Sequence, residues 1–134
     1  MATKRKTPVR LYKDIDLDFK LNPVTHDIGK KTDVQAVKQA LRNLFMTQRG
    51  EKKFQPNYGS GIRALLFEPV DYLTGSIIEK EIEFMIKNYE PRVKVQGVAV
   101  SASTDTHEYN IRLDFFVVGV KEPQVYTTTL ERLR

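Results

Sequence analysis

Across six residues, Asn88-Tyr89-Glu90-Pro91-Arg92-Val93, the spacing of apolar side chains changes from helical to extended. Before this stretch, Ile78, Ile82, Met85 and Tyr89 recur every three or four positions, the period of one helix face. After it, Val93 and Val95, and then Val98, Val100 and Ala102, alternate as strand residues do. Pro91 separates the two regimes, because proline cannot continue a helix and biases the residue before it toward extended geometry. A long helix that feeds directly into a sheet restricts the chain to a mixed α and β fold.

The extended half changes phase at Gln96-Gly97, which predicts a bulge at the glycine. Thr104-Asp105-Thr106-His107 turns the chain, and Tyr109, Ile111, Leu113, Phe115 and Val117 then alternate with Asn110, Arg112 and Asp114. Val120 to Pro123 turns again, and Val125 to Leu130 makes a third strand. In the first half, Thr32 and Gln35 have capping-box spacing ahead of Val34, Val37, Leu41, Leu44 and Phe45. The apolar arc of that helix covers roughly 140°, enough for one packed side, and Gly50 stops it. Ile62, Leu65, Leu66 and Phe67 suggest a short helix capped by Ser60.

The prediction is α+β: two main helices, about 33–48 and 70–89, packed on a three-stranded antiparallel meander over about 92–130, with an extended N-terminal arm. The second helix is the unusual one. Ile77, Phe84 and Ile86 widen its stripe to an arc of about 200°, more than one packing face requires. It is expected to meet the sheet on one side and either the first helix or a partner on the other. Glu83 and Lys87 stand in the favourable order for a pair along its polar side.

Length and charge narrow the organisation further. The 134 residues suit one domain, and no apolar run approaches the roughly 18–20 residues of a membrane span. The start of the chain lacks the apolar core of a secretory signal. With no cysteine, disulfides and thiolate metal sites are ruled out. Lys4, Arg5, Lys6, Arg10 and Lys13 stand in a leader without acids, and basic and acidic residues balance elsewhere. Residues 1–31 are therefore expected to be a basic leader and extended arm, and 32–134 a single domain. A basic tail on a neutral body is not a nucleic-acid-binding face, so nucleic acid is not expected as a partner.

Candidate chemistry is sparse. Asp14, Asp16 and Asp18 alternate like the start of a calcium loop, but Phe19 stands where that loop needs glycine, so no metal is expected. Gly59-Ser60-Gly61 lacks the third glycine and the lysine-threonine pair of a phosphate loop. His26 and His107 lie in loop contexts without a nucleophile motif. Glu79 and Glu83 fall on a convex helix surface rather than across a cleft. Glu81 falls inside the apolar arc, as a rim carboxylate with its stem buried or as an acid awaiting a partner. Neither catalysis nor a cofactor is expected from this set.

The corner itself holds the clearest signal. Glu90 sits at the negative end of the helix dipole, unfavourable by about 0.3–1 kcal/mol, which calls for a basic partner from Arg92 or another chain. Glu-Pro-Arg closing a long helix and opening a strand resembles the signature of a baseplate wedge family of contractile phage tails. The family's members initiate the tail sheath, are also called lysozyme-like, and have a counterpart in type VI secretion baseplates. Leu11-Tyr12 with Asp14-Ile15-Asp16, and Phe54 to Gly59 followed by Leu65-Leu66-Phe67-Glu68, resemble the family's N-terminal segment and central loop. Together the matching pieces span about residues 11–130.

The resemblance implies a non-enzymatic assembly role in the virion tail baseplate, assembled in the host cytoplasm. It implies that Glu90, Pro91 and Arg92 dock on the helical core bundle of the wedge. It also implies that the meander accepts a strand from the first sheath ring, through a border that includes Thr127, Thr129 and Leu130. The implied partners are wedge proteins, sheath subunits and the end of the tail tube. The alternatives are a peptidoglycan hydrolase, which the lysozyme-like label suggests, and a nucleic-acid-binding module acting through the basic leader.

Overall fold

A computed structural model describes residues 12–133, and the leader up to Leu11 and the terminal Arg134 lie outside them. In chain order the elements are β1 (Lys13–Ile15), β2 (Lys30–Thr32), α1 (Val34–Met46), α2 (Ile62–Leu65), α3 (Tyr72–Tyr89), β3 (Val93–Ser103), β4 (Glu108–Val117) and β5 (Gln124–Glu131). The architecture is α+β, with α1 and α3 on one face of an antiparallel sheet of order β3-β4-β5.

Alternation along β4 turns Tyr109, Ile111, Leu113, Phe115 and Val117 toward the helices, and all five are buried. They meet Val37, Leu41 and Leu44 of α1 and Ile78, Ile82, Met85 and Ile86 of α3 in one core. At the β5 side the ring of Phe45 stacks on Tyr126, with centroids 5.8 Å apart. The register of β3 on β4 shifts between Val95 and Gly97, the bulge that the change of phase predicts. That extra residue keeps Val93 and Val98 on the same buried side. The opposite face of the sheet carries Ser101, Asn110, Arg112, Thr127 and Thr129, all exposed.

The arm is more folded than its alternating acids imply. β1 pairs antiparallel with β2, and between them Leu21 bridges Ile28. This pairing overrides the expected capping box. Thr32 is held in β2 opposite Lys13, Asp33 takes the N-cap position of α1 with a φ of 50°, and neither supplies a side-chain cap. Asp16 and Asp18 both reach Lys31, at 3.1 and 3.4 Å.

Two further local expectations fail. Ser60 does not cap α2, whose N-cap residue is Gly61. The amide of Ser60 donates to Thr47 O at 2.8 Å and its hydroxyl to Phe45 O at 3.2 Å, so the segment is tied back to the end of α1 instead. Its neighbour Gly59 has a φ of +114°, and a Cβ there would sit 2.6 Å from Thr47 O, so only glycine fits. Glu83 and Lys87 form no ion pair within 4.0 Å, in keeping with how little an exposed pair returns for ordering two long side chains.

Asp71 caps α3, accepting the Thr74 amide at 2.7 Å. The wide apolar arc of α3 is only half used. Its inner side fills the core, while Leu73, Ile77 and Phe84 stay exposed and α1 does not cover them. Among the described residues no helix is long and apolar enough to cross a membrane.

Candidate functional site

The corner after α3 is a tied node. The Glu90 amide closes the helix on Ile86 O at 2.9 Å, and the Val93 amide returns to Glu90 O at 3.1 Å. That tight path turns the Glu90 side chain inward, where the residue is only 6% exposed. Arg92 supplies the basic partner that the helix dipole calls for. Its Nε donates to Glu90 Oε1 at 2.7 Å and its Nη2 to Oε2 at 3.0 Å, a two-pronged fit of guanidinium to carboxylate. These hydrogen bonds, more than the opposing burial, raise the pKa of Arg92 above its ordinary value and keep it charged.

Other segments converge on the same guanidinium. Asp14 Oδ2 lies 3.6 Å from Arg92 Nη1, and the Tyr12 ring lies 5.5 Å beneath the guanidinium carbon. The Tyr89 hydroxyl donates to Asn57 O, and its ring meets Tyr58 edge-on with centroids 5.4 Å apart. Burial, with the Glu90 charge nearby, pushes the Tyr58 phenol pKa up. Arm, central loop, helix end and strand start are thus locked together, and Pro91 is the exposed member of the corner.

The predicted border residues lie elsewhere. Thr127 pairs with Arg112 and Thr129 with Asn110, and both threonines are exposed on the open face. The Thr129 hydroxyl also donates to Asn110 Oδ1 at 2.9 Å. Leu130, opposite Tyr109, is half-buried on the helix side. β5 pairs only with β4, so among the described residues its other side has no partner strand. Beyond its end, the Leu133 amide bonds Leu66 O at 2.9 Å. Glu90, Pro91 and Arg92 stand together at the start of β3, one border of the sheet, and Thr127, Thr129 and Leu130 on the other.

Glu81 also finds a partner that local spacing could not name. Its Oε1 accepts from Arg49 and from the Gly61 amide, the latter at 3.0 Å. It fastens the central loop to α3. His26 and His107 are both exposed and belong to separate turns. No group of three or more His, Asp or Glu side chains among the described residues is placed to hold a metal ion.

Comparison with known proteins bears on this architecture directly. The family model described as "Baseplate wedge protein gp25" matches residues 31–120. The baseplate wedge protein gp25 of Enterobacteria phage T4 is 29% identical over 109 residues, 81% of this chain and 82% of that protein. Among solved structures, a protein of Geobacter sulfurreducens described as a tail lysozyme superposes with a TM-score of 0.66 at 21% identity. That match covers 73% of this chain and 89% of the other. A chain of the anti-feeding prophage baseplate gives 0.63 at 23% identity, covering 92% and 87%. The structural likenesses establish a shared fold, and the sequence match, which runs from β2 through β4 and takes in the whole charged corner, establishes kinship: the chain belongs to the gp25 baseplate wedge family.

Proposed function

We propose that the protein is a non-enzymatic structural part of a contractile-tail baseplate that docks on the wedge and seeds the sheath. Its family membership puts it in the tail baseplate. In this reading the Glu90-Pro91-Arg92 corner is the foot, meeting the helical core of the wedge. β5 is the seat, taking a strand from the first sheath ring. The observation that carries the reading is the side of β5 that has no partner strand among the described residues. Unpaired main-chain groups along an edge can hold an incoming strand with little demand on its sequence.

A hydrolase reading draws on the lysozyme-like label and on the descriptive name of a structural neighbour whose identity carries the fold alone. Glu81, the acid that would have to act, is tied to Arg49 and to a loop amide instead of lining a cleft. The purified protein is expected to leave cell wall intact, and turnover that disappears in Glu81→Gln would overthrow the structural role.

The seeding role is tested by mixing the protein, bound to wedge components, with sheath subunits and following polymerisation by sedimentation. Sheath is expected to start on the loaded wedge. Equal polymerisation on wedges that lack the protein would end the proposal.

A further inference from the structure

A strand added to β5 would lie beside a groove of about 470 Å³ lined by the arm, the outward face of α1 and Tyr126. Leu17 and Asp18 of the arm, Lys38, Arg42 and Met46 of α1, and Tyr126 of β5 all line it. The packing of α1 explains this arrangement. Gln39 ties one flank of the helix to the arm, its Nε2 donating to Ile15 O at 2.8 Å and its Oε1 accepting the Leu17 amide at 3.3 Å. Phe45 turns the other flank to Tyr126. At about 100° per residue, Lys38 and Arg42 fall within about 60° of Phe45, on the flank that looks toward β5.

The charges of the groove do not cancel. Lys31 is met by Asp16 and Asp18. Lys38 and Arg42 have no ion pair among the described residues. Met46, at 64% exposure, leaves an apolar surface next to them. An edge that asks only for a main chain therefore sits beside a floor that asks for particular side chains.

We propose that the segment β5 accepts is an extended strand with acidic side chains on its helix-facing side, set against Lys38 and Arg42, and an apolar one against Met46 and Tyr126. This rests on the strand-addition reading above and names the chemistry of the strand. The chain's own leader carries Lys4, Arg5, Lys6 and Arg10 without an acid, the wrong sign for this groove. A second copy would bring the helix-facing side of its own β5, namely Gln124, Tyr126, Thr128 and Leu130, and leave both cations unmet.

The test uses the full chain and synthetic eight-residue strand peptides with threonine at every other position. One carries Glu at two of the intervening positions and Val at the others. Its companions replace Glu with Gln or with Lys, and a fourth repeats the Glu peptide with alternate amides N-methylated. Binding is read from amide NMR shifts along β5. The Glu peptide is expected to bind about tenfold more tightly than the Gln peptide at low salt, with the gap closing as salt rises. In a Lys38→Glu/Arg42→Glu variant, shown folded by circular dichroism, the preference is expected to pass to the Lys peptide. Equal binding of the Glu and Gln peptides, abolished by N-methylation, would overturn the acidic preference and leave strand addition standing. Failure of every peptide to shift β5 would overturn both. Shifts in β5 that follow protein concentration without peptide would make a second copy the occupant and overturn the proposal.

Discussion

At the elbow after α3 the charges of Glu90 and Arg92 are met within the chain, whereas along β5 a row of main-chain groups faces no strand among the described residues. The first region is satisfied by its own side chains, and the second has main-chain groups left over. Glu90 is buried against a two-pronged Arg92, which Asp14 and Tyr12 brace from the arm. Thr127 and Thr129 are exposed, on a strand that among the described residues is paired along one side only. The difference separates a residue's part in the fold from the part proposed for it in assembly. Changes at the elbow should disturb folding and docking together, and changes on the β5 border should disturb assembly while folding stays intact.

The strongest blow to this contrast would come from Arg92→Ala. It strands a carboxylate that is 6% exposed, and unfolding stability should fall by about 2–3 kcal/mol in chemical denaturation. Wedge binding in a pull-down should fall with it. A variant as stable as the parent would show that the elbow is not a structural node. Glu90→Ala should be milder, about 1–2 kcal/mol, because the orphaned guanidinium can turn to Asp14 and to water. If it proved the harsher of the two, the burial argument would be inverted.

On the other border, Thr127→Lys with Thr129→Lys should change stability by less than about 0.5 kcal/mol and yet blunt the edge against an incoming strand. Sheath seeding by sedimentation is the readout, and unimpaired seeding would remove these residues from the interface. The smallest effect belongs to the far end of α3. The Thr74 amide holds the Asp71 carboxyl below its ordinary value of 3.8. Its contribution is therefore fully present above that value and is lost as pH falls through the lowered folded value. Thermal melts of Asp71→Asn and the parent should differ at neutral pH and converge as the pH falls through the lowered folded value. A constant difference across that range would mean that the cap does not act through its charge.

What the sequence made legible was whatever depends on period. The helix-to-strand switch, the bulge between Val95 and Gly97 and the meander all follow from where apolar side chains repeat. The caps expected at Thr32 and Ser60 do not form because longer-range pairing, to Lys13 and to Thr47, claims those segments. The Arg49–Glu81 tie and the approach of Asp14 to Arg92 join residues far apart in the chain, with no local spacing to announce them. The excess width of the α3 stripe was legible, and its outer half remains exposed through Leu73, Ile77 and Phe84. Of the elbow, the pairing of opposite charges across Pro91 could be anticipated, but the inward turn of Glu90 could not. It follows from backbone hydrogen bonds at the helix end.

In the proposed reading, foot and seat lie on opposite borders of one sheet, and that has a mechanical consequence. A load between the wedge and a seated strand runs crosswise through β3, β4 and β5, passing from one ladder of hydrogen bonds to the next. The β3–β4 ladder spans Val93 to Ser103 and the β4–β5 ladder Gln124 to Glu131, so tension is divided over many bonds at each step. The helices lie on one face of that path, clear of the line of pull, and a contracting sheath would strain the sheet before it strained the core.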